Sequence, residues 1–332
     1  MSGMATFDAV VCVGPHKVQT AKLAVKSLQL FSCPRRIYVI ASAKFFPELQ
    51  SLSKPSCPVC LMEEDRLIEY VSLRALDEYL TARLGNTRGM GWYFQQFLKM
   101  GMARLPDIAS HYLIWDSDTV MLKSLEFFDV DGRVLVNPKE ENHQPYFELT
   151  ERLLGYGRMV SFSFISEHFM VNSSHMRELL KLIEARNPGT RNWVYAILDQ
   201  ITETNLLNCG LSEFEMFGNF LQIYHPESYR CRPVRSSREG AALCGMSPNK
   251  RDLYYLAKQG YCFVSFERWN RIKGWRLWVS KARTAGRYLL DRSSSLVFEK
   301  NKANLRMVSF LCTEGKHSAA WEPSLPRTGT TS

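Results

Sequence analysis

Apolar and polar positions fall into alternating blocks along the first two-thirds of the chain. Residues 7–13 (FDAVVCV) form a short apolar run, broken at Gly14-Pro15-His16-Lys17 and followed by Ala24, Leu28 and Phe31 at helical spacing. This predicts strand, loop and helix. Residues 36–42 (RIYVIAS) predict a second strand, residues 67–71 a third, and residues 73–84 another helix. The clearest amphipathic segment follows Gly91, with Phe94, Phe97, Leu98, Met102 and Leu105 on one face before Pro106 stops it. Trp92, Gln95, Gln96 and Lys99 share another stripe, because offsets of three and four residues return to the same side. That stripe is either a solvated face or part of a site.

Residues 112–116 (YLIWD) predict a fourth strand, 133–136 a fifth and 168–171 a sixth. Helices are expected over 175–185, 193–201 and 213–222, and a last strand over 261–266 (YCFVSF). Strands alternating with helices point to an open, mostly parallel sheet with helices on both faces. The expected division is an α/β core over 1–226, a helical, basic C-terminal part over 227–290, and a Ser, Lys and Asn rich tail, partly disordered, over 291–332.

Composition changes this picture in one respect. The 332 residues hold 42 Lys and Arg against 33 Asp and Glu, a formal charge of +9. Of these, 20 basic and 8 acidic residues lie beyond Pro226, which leaves 22 and 25 before it. The last third therefore carries +12 and the rest −3, which a uniformly basic nucleic-acid binder would not show. The apolar runs are shorter than the ~18 residues needed to span a bilayer, and the first residues lack a basic stretch followed by a long apolar one. Nine cysteines without a leader argue against a disulfide framework and for a cytoplasmic protein.

Trp115-Asp116-Ser117-Asp118 carries the sharpest chemical signal, because it ends an apolar strand, and ligands of open α/β sheets bind at the carboxyl ends of strands. If the chain stays extended through Ser117, the Asp116 and Asp118 carboxylates point the same way and can share a hard divalent ion, Mg²⁺ or Mn²⁺. A turn at a strand end, where Asp is favoured for backbone reasons, is the competing role. Asp116-x-Asp118-x-Val120 also fits the nucleophile loop of haloacid-dehalogenase-like phosphatases or phosphotransferases, with Asp116 as nucleophile. That loop follows a first strand, whereas Asp116 ends the fourth, and no acidic pair follows downstream to complete a Mg²⁺ site.

Five segments, RGMGWYFQQFLKM (88–100), YLIWDSDTVML, ISEHFMV (165–171), SEFEMFGNFL (212–221) and FVSFERW (263–269), occur in this order. Together they resemble a bacterial family of uncharacterised glycosyltransferase-like proteins of GT-A type, associated with surface-polysaccharide loci. The resemblance spans roughly residues 7–270. It implies a GT-A-like, Rossmann-related sheet and transfer of a sugar from a nucleotide-linked or other phosphate-linked donor to a glycan or lipid-linked acceptor. Asp116 and Asp118 would hold Mn²⁺ or Mg²⁺ on the donor phosphates, with His225 as a third metal ligand. Trp92 would be a stacking platform, and Gln95, Gln96 and Lys99 would meet donor hydroxyls or phosphate, with His168 beside them. A transfer that inverts the anomeric centre needs a general base, for which Glu213 and Glu167 rank first. Glu215, three residues after Ser212, fits a capping box and is otherwise an acceptor-side candidate.

Other phosphate-binding schemes lack their parts. There is no Gly-x-Gly-x-x-Gly after the first strand and no Gly-Lys-Ser/Thr loop. Cys57-Pro-Val-Cys60 is a single pair where structural zinc needs four ligands, so it reads as a connecting loop. The stretch between Arg268 and Arg283 (RWNRIKGWRLWVSKAR) combines Trp269, Trp275 and Trp278 with basic residues and no acid. It reads either as an interfacial helix on an anionic membrane surface, which would make the protein peripheral, or as an edge helix with its tryptophans packed inward. A non-catalytic, membrane-associated assembly factor is the reading outside enzymology.

Overall fold

Along the whole of β1 (Asp8–Val13) and β2 (Ile37–Ala41) every residue is buried, with no alternation of polar and apolar. Strands covered on both faces by helices have that pattern. The computed structural model describes residues 6–87, 89–268 and 272–293. Between and after the first two strands come α1 (Val18–Phe31), α2 (Phe46–Gln50), β3 (Val59–Glu63), α3 (Leu73–Leu84), α4 (Met90–Gly101) and β4 (His111–Trp115). The middle of the chain forms β5 (Thr119–Met121), β6 (Val134–Val136), α5 (Gln144–Leu154), β7 (His168–Asn172), α6 (Ser173–Arg186), α7 (Trp193–Gln200), α8 (Glu203–Leu207) and α9 (Glu213–Tyr224). The last described elements are β8 (Tyr229–Cys231), β9 (Ser236–Ser237), α10 (Gly240–Cys244), α11 (Lys250–Lys258), β10 (Phe263–Ser265) and α12 (Trp275–Ser293).

The main sheet has the order β3-β2-β1-β4-β7. Its first four strands are parallel and β7 runs antiparallel to β4 at one edge, pairing His168 with Trp115. The expected open, mostly parallel sheet flanked by helices is therefore present. From β1 the chain steps outward through β2 and β3, then returns to place β4 on the other side of β1. The carboxyl ends of β1 and β4 mark a topological switch point, the position at which open α/β sheets bind their ligands. β5 pairs antiparallel with β10, and β6 pairs with β8, so strands beyond residue 226 close onto strands before it.

Local chemistry sets many of the helix ends. Ser72, Asn172, Asn192 and Ser212 each accept hydrogen bonds from backbone N–H groups of the first turn of α3, α6, α7 and α9. Gly85 (φ +68°) and Gly155 (φ +80°) end α3 and α5 in the left-handed conformation that glycine adopts without strain.

Three expectations are corrected. Residues 67–71 are a tight connection with an isolated Ile68–Val71 bridge, and the third strand is β3, whose half-buried edge position gives no clean apolar run. Cys60 lies within β3 rather than in a loop, and both Cys57 and Cys60 are free thiols. Residues 133–136 form a strand, but it joins β8 outside the main sheet. Helix α5 was hidden by the polar PKEENH run before it, although Pro145 and Gly155 bracket it as start and stop signals. The tail from residue 294, together with Arg88, Trp269, Asn270 and Arg271, lies outside the described residues.

Candidate functional site

At the switch point, charged side chains from loops and helices meet. Asp116, at the carboxyl end of β4, opens a tight turn in which its carbonyl accepts from the Thr119 N–H at 3.0 Å. The chain therefore does not stay extended through Ser117, and period-two alternation does not orient the two aspartates. Each instead is taken by its own lysine. Asp116 Oδ1 meets Lys99 Nζ at 3.1 Å, and Asp118 Oδ2 meets Lys17 Nζ at 2.8 Å. Lys17 precedes α1 in the loop that leaves β1, so this pair bridges the two strands that flank the switch point.

Lys99 is the centre of the buried part. It lies 2.9 Å from Glu213 Oε1 as well as 3.1 Å from Asp116, and stands 5.0 Å over the Phe214 ring. Burial alone pushes its ammonium down, but Asp116 and Glu213 outweigh that and hold it above the usual lysine range. Burial raises the Glu213 carboxyl, with Lys99 opposing. The Gln96 amide, turned to donate, also meets Glu213. Gln96 and Lys99 are buried and Gln95 is half-buried with its amide 3.4 Å from the Cys12 carbonyl, so most of the polar stripe on α4 is not a solvated face. Trp92 remains 39% exposed at the start of α4, its indole N–H donating to the Leu211 carbonyl at 3.1 Å.

A second charged group adjoins the first. Glu167 is buried, accepts from Ser166 Oγ at 3.1 Å, and faces Lys139 at 3.7 Å and Arg238 at 3.6 Å. Arg238 also reaches Glu141 at 3.0 Å and Glu267 at 3.9 Å. Glu267 follows β10, whose antiparallel pairing with β5 brings it beside the turn, where the Phe266 N–H donates to the Asp118 carbonyl at 2.8 Å. Its carboxyl is pushed up to about 7, first by burial and then by the negative charge of Asp118, Asp116 and Glu167, against the pull of Arg238. Its side chain is 13% exposed.

Several sequence candidates sit elsewhere. His225 lies just past the carboxyl end of α9, while Glu213 opens that helix, so the two are separated by about 18 Å at 1.5 Å per residue. His225 instead stacks on His175 at 3.8 Å and bonds Glu178 at 2.8 Å, and this removes it from the switch point. His168 is enclosed by the rings of Trp115, Phe127 and Phe263, and burial holds its imidazole down at about 3. A neutral ring sealed in the core cannot meet a donor. Glu215 is buried too, bonded to Ser163 and Asn219, with the Ser212 hydroxyl accepting from its N–H at 3.3 Å. Half of the expected capping box is thus present, and the Glu215 carboxylate ties α9 to the segment before β7. Glu213 and Glu167 belong to the charged groups of the site, but both are enclosed by their partners.

Lys17, Arg238 and Glu267 carry no signal that spacing could have supplied. Among the described residues no three His, Cys, Asp or Glu side chains converge as a complete metal cage. The donor set nevertheless fits Mg²⁺ or Mn²⁺. These ions take one or two carboxylates and leave their other positions to water and substrate phosphate, and among the described residues Asp116 Oδ2 and Asp118 Oδ1 accept no hydrogen bond.

A family model described as a family of unknown function (DUF6492) matches residues 3–226. The chain belongs to that family. The DUF6492 match contains Lys17, Lys99, Asp116, Asp118, Glu167 and Glu213, whereas Arg238 and Glu267 lie beyond it. No curated protein matches the chain. Among solved structures, mouse xyloside xylosyltransferase 1 in its apo form is similar at 13% identity, with a TM-score of 0.41 over 81% of this chain and 100% of that one.

Proposed function

We propose that the protein is a metal-dependent glycosyltransferase of GT-A-like architecture that moves a sugar from a phosphate-linked donor to a glycan or lipid-linked acceptor. The observation that carries this reading is the Asp116–Asp118 turn at the switch point, with Lys17 and Lys99 each gripping one carboxylate. Such a site suits a polyanion brought in with a divalent ion. The ion supplies charge neutralisation for the departing phosphate, and Asp116 and Asp118 are the residues that would hold it. Lys17 and Lys99 would exchange part of their carboxylate contact for donor phosphate oxygens. Trp92, fixed through its indole N–H, offers an exposed ring for a base or sugar to stack on, and Gln95 offers an amide for a hydroxyl.

The base is assigned to Glu267 in place of Glu213 and Glu167. Glu267 follows Phe266, whose N–H donates to the Asp118 carbonyl, and keeps part of its side chain exposed beside the proposed metal ligands, which suits a group that removes a hydroxyl proton during transfer. Glu213 and Gln96 position Lys99, and Arg238 with Lys139 holds Glu167 and Glu267 in place.

The test is incubation with a panel of radiolabelled sugar nucleotides and phosphoribosyl donors, with Mn²⁺ or with chelator. Metal-dependent release of the phosphate leaving group, abolished in Asp118→Ala, is the expected result. Trapping phosphate on Asp116 would transfer the protein to the phosphatase class, and donor binding indifferent to Asp118→Ala would favour a non-catalytic assembly factor.

A further inference from the structure

Helix α12 has its polarity turned outward. The side that packs on the rest of the molecule is largely polar: Ser280 donates to the Leu243 carbonyl, Thr284 donates to Asp252 at 2.7 Å, and Lys281 pairs with the same buried Asp252. Tyr288 adds an edge contact with Tyr254 at 5.4 Å, and Leu277 packs so closely that a Cβ on Gly245 would stand 2.6 Å from its Cδ1. The opposite side is apolar and open. Trp275, Trp278, Val279 and Leu289 are 71%, 79%, 58% and 56% exposed. At 100° per residue these four fall within an arc of about 100°, a continuous stripe along the helix.

The stripe's surroundings identify its occupant. Arg276 and Arg283 lie along one flank, the first 5.8 Å over the Trp275 ring and the second 5.3 Å over the Tyr255 ring. From Trp275 to Leu290 the sequence contains no Asp or Glu. Over that stretch the helix itself offers those arginines no carboxylate, and an anionic lipid surface supplies phosphate and carboxylate groups at that level. Tryptophan has an apolar body and a polar N–H and suits the boundary between headgroups and acyl chains. Among the described residues no helix is long and apolar enough to cross a membrane, so the geometry is that of a helix lying on the bilayer.

We propose that α12 seats the protein on an anionic lipid bilayer, with Trp275, Trp278, Val279 and Leu289 in the interface and Arg276 and Arg283 on the headgroups. This role is independent of the chemistry assigned to the switch point. Of the basic, Trp-rich segment expected between Arg268 and Arg283, Trp269, Asn270 and Arg271 lie outside the described residues.

The experiment is co-sedimentation of the full chain with phosphatidylcholine vesicles and with vesicles that also contain phosphatidylglycerol. Binding to the anionic vesicles alone, reduced at least about tenfold in Trp275→Ser/Trp278→Ser and made salt-insensitive and weak in Arg276→Glu/Arg283→Glu, is the expected outcome. Both variants alter exposed positions, so unchanged thermal unfolding will separate lost docking from lost folding. Equal sedimentation of wild type and the Trp variant would overturn the proposal. So would a wild-type dimer that the Trp variant converts to monomer, since the face would then belong to a second copy.

Discussion

Lys99 is held between two carboxylates in a buried site, and removing it would leave the buried Glu213 charge without its cation, with only the Gln96 amide beside it. Breaking such a pair from one side costs about 3–5 kcal/mol. Lys99→Met is therefore expected to lower stability by that order in chemical denaturation, and Lys99→Met/Glu213→Gln to regain a substantial part of it. Additive losses would deny the coupling. Glu267 makes a different prediction. Its folded-state value of about 7 lies above the unfolded carboxylate value of 4.5, so its ionisation costs native stability as pH rises between those values. Glu267→Gln should match wild type in Tm near pH 4 and exceed it near pH 8, by about 1–3 kcal/mol in stability. In a transfer assay, Glu267→Gln should lose most of the activity while keeping metal-dependent donor binding. At this scale the sequence made Lys99 and Asp116 legible, because one lies on a helical stripe and the other ends an apolar strand. Glu267 lies in the FVSFERW segment but was invisible as a site, since its approach to Asp118 depends on β10 pairing back onto β5 across most of the chain.

Helix α9 shows how an element sets the site. Glu213 opens it, Ser212 caps it, and Gly218 at its middle lies against the Phe164 ring, where an added Cβ would collide. Gly218→Ala should push α9 away and cost about 1–3 kcal/mol in denaturant unfolding, with Phe164→Leu in the same chain restoring part of it. An unchanged midpoint would mean that the ring yields without cost. The same helix explains why His225 reads wrongly from sequence. Its proximity in number to Glu213 translates into three turns of separation in space. Long amphipathic helices and fully buried parallel strands were readable because their periods are strong. β3 and α5 were not, one being a half-buried edge and the other following a polar run.

Across the whole molecule, the division of charge corresponds to two surfaces. The first 226 residues are close to neutral, and four of their acidic groups, Asp116, Asp118, Glu167 and Glu213, are met at the site by Lys17, Lys99 and Lys139. The basic C-terminal third supplies Arg238 to the site and the arginine flank of α12. Strand alternation indicated a mostly parallel sheet, but its order, the antiparallel β7 and the closure by β10 were set by packing that no local pattern records. The proposed glycosyltransferase takes a phosphate-linked sugar at the switch point with a divalent ion on Asp116 and Asp118. That binding is tested most directly by thermal shift of wild type and Asp116→Ala against sugar nucleotides and phosphoribosyl donors, with and without Mn²⁺. A donor present at about 100 times its Kd adds about 2.7 kcal/mol, a rise of several degrees. That rise should require Mn²⁺ and be absent in Asp116→Ala, and stabilisation that persists in the variant or without metal would contradict the account.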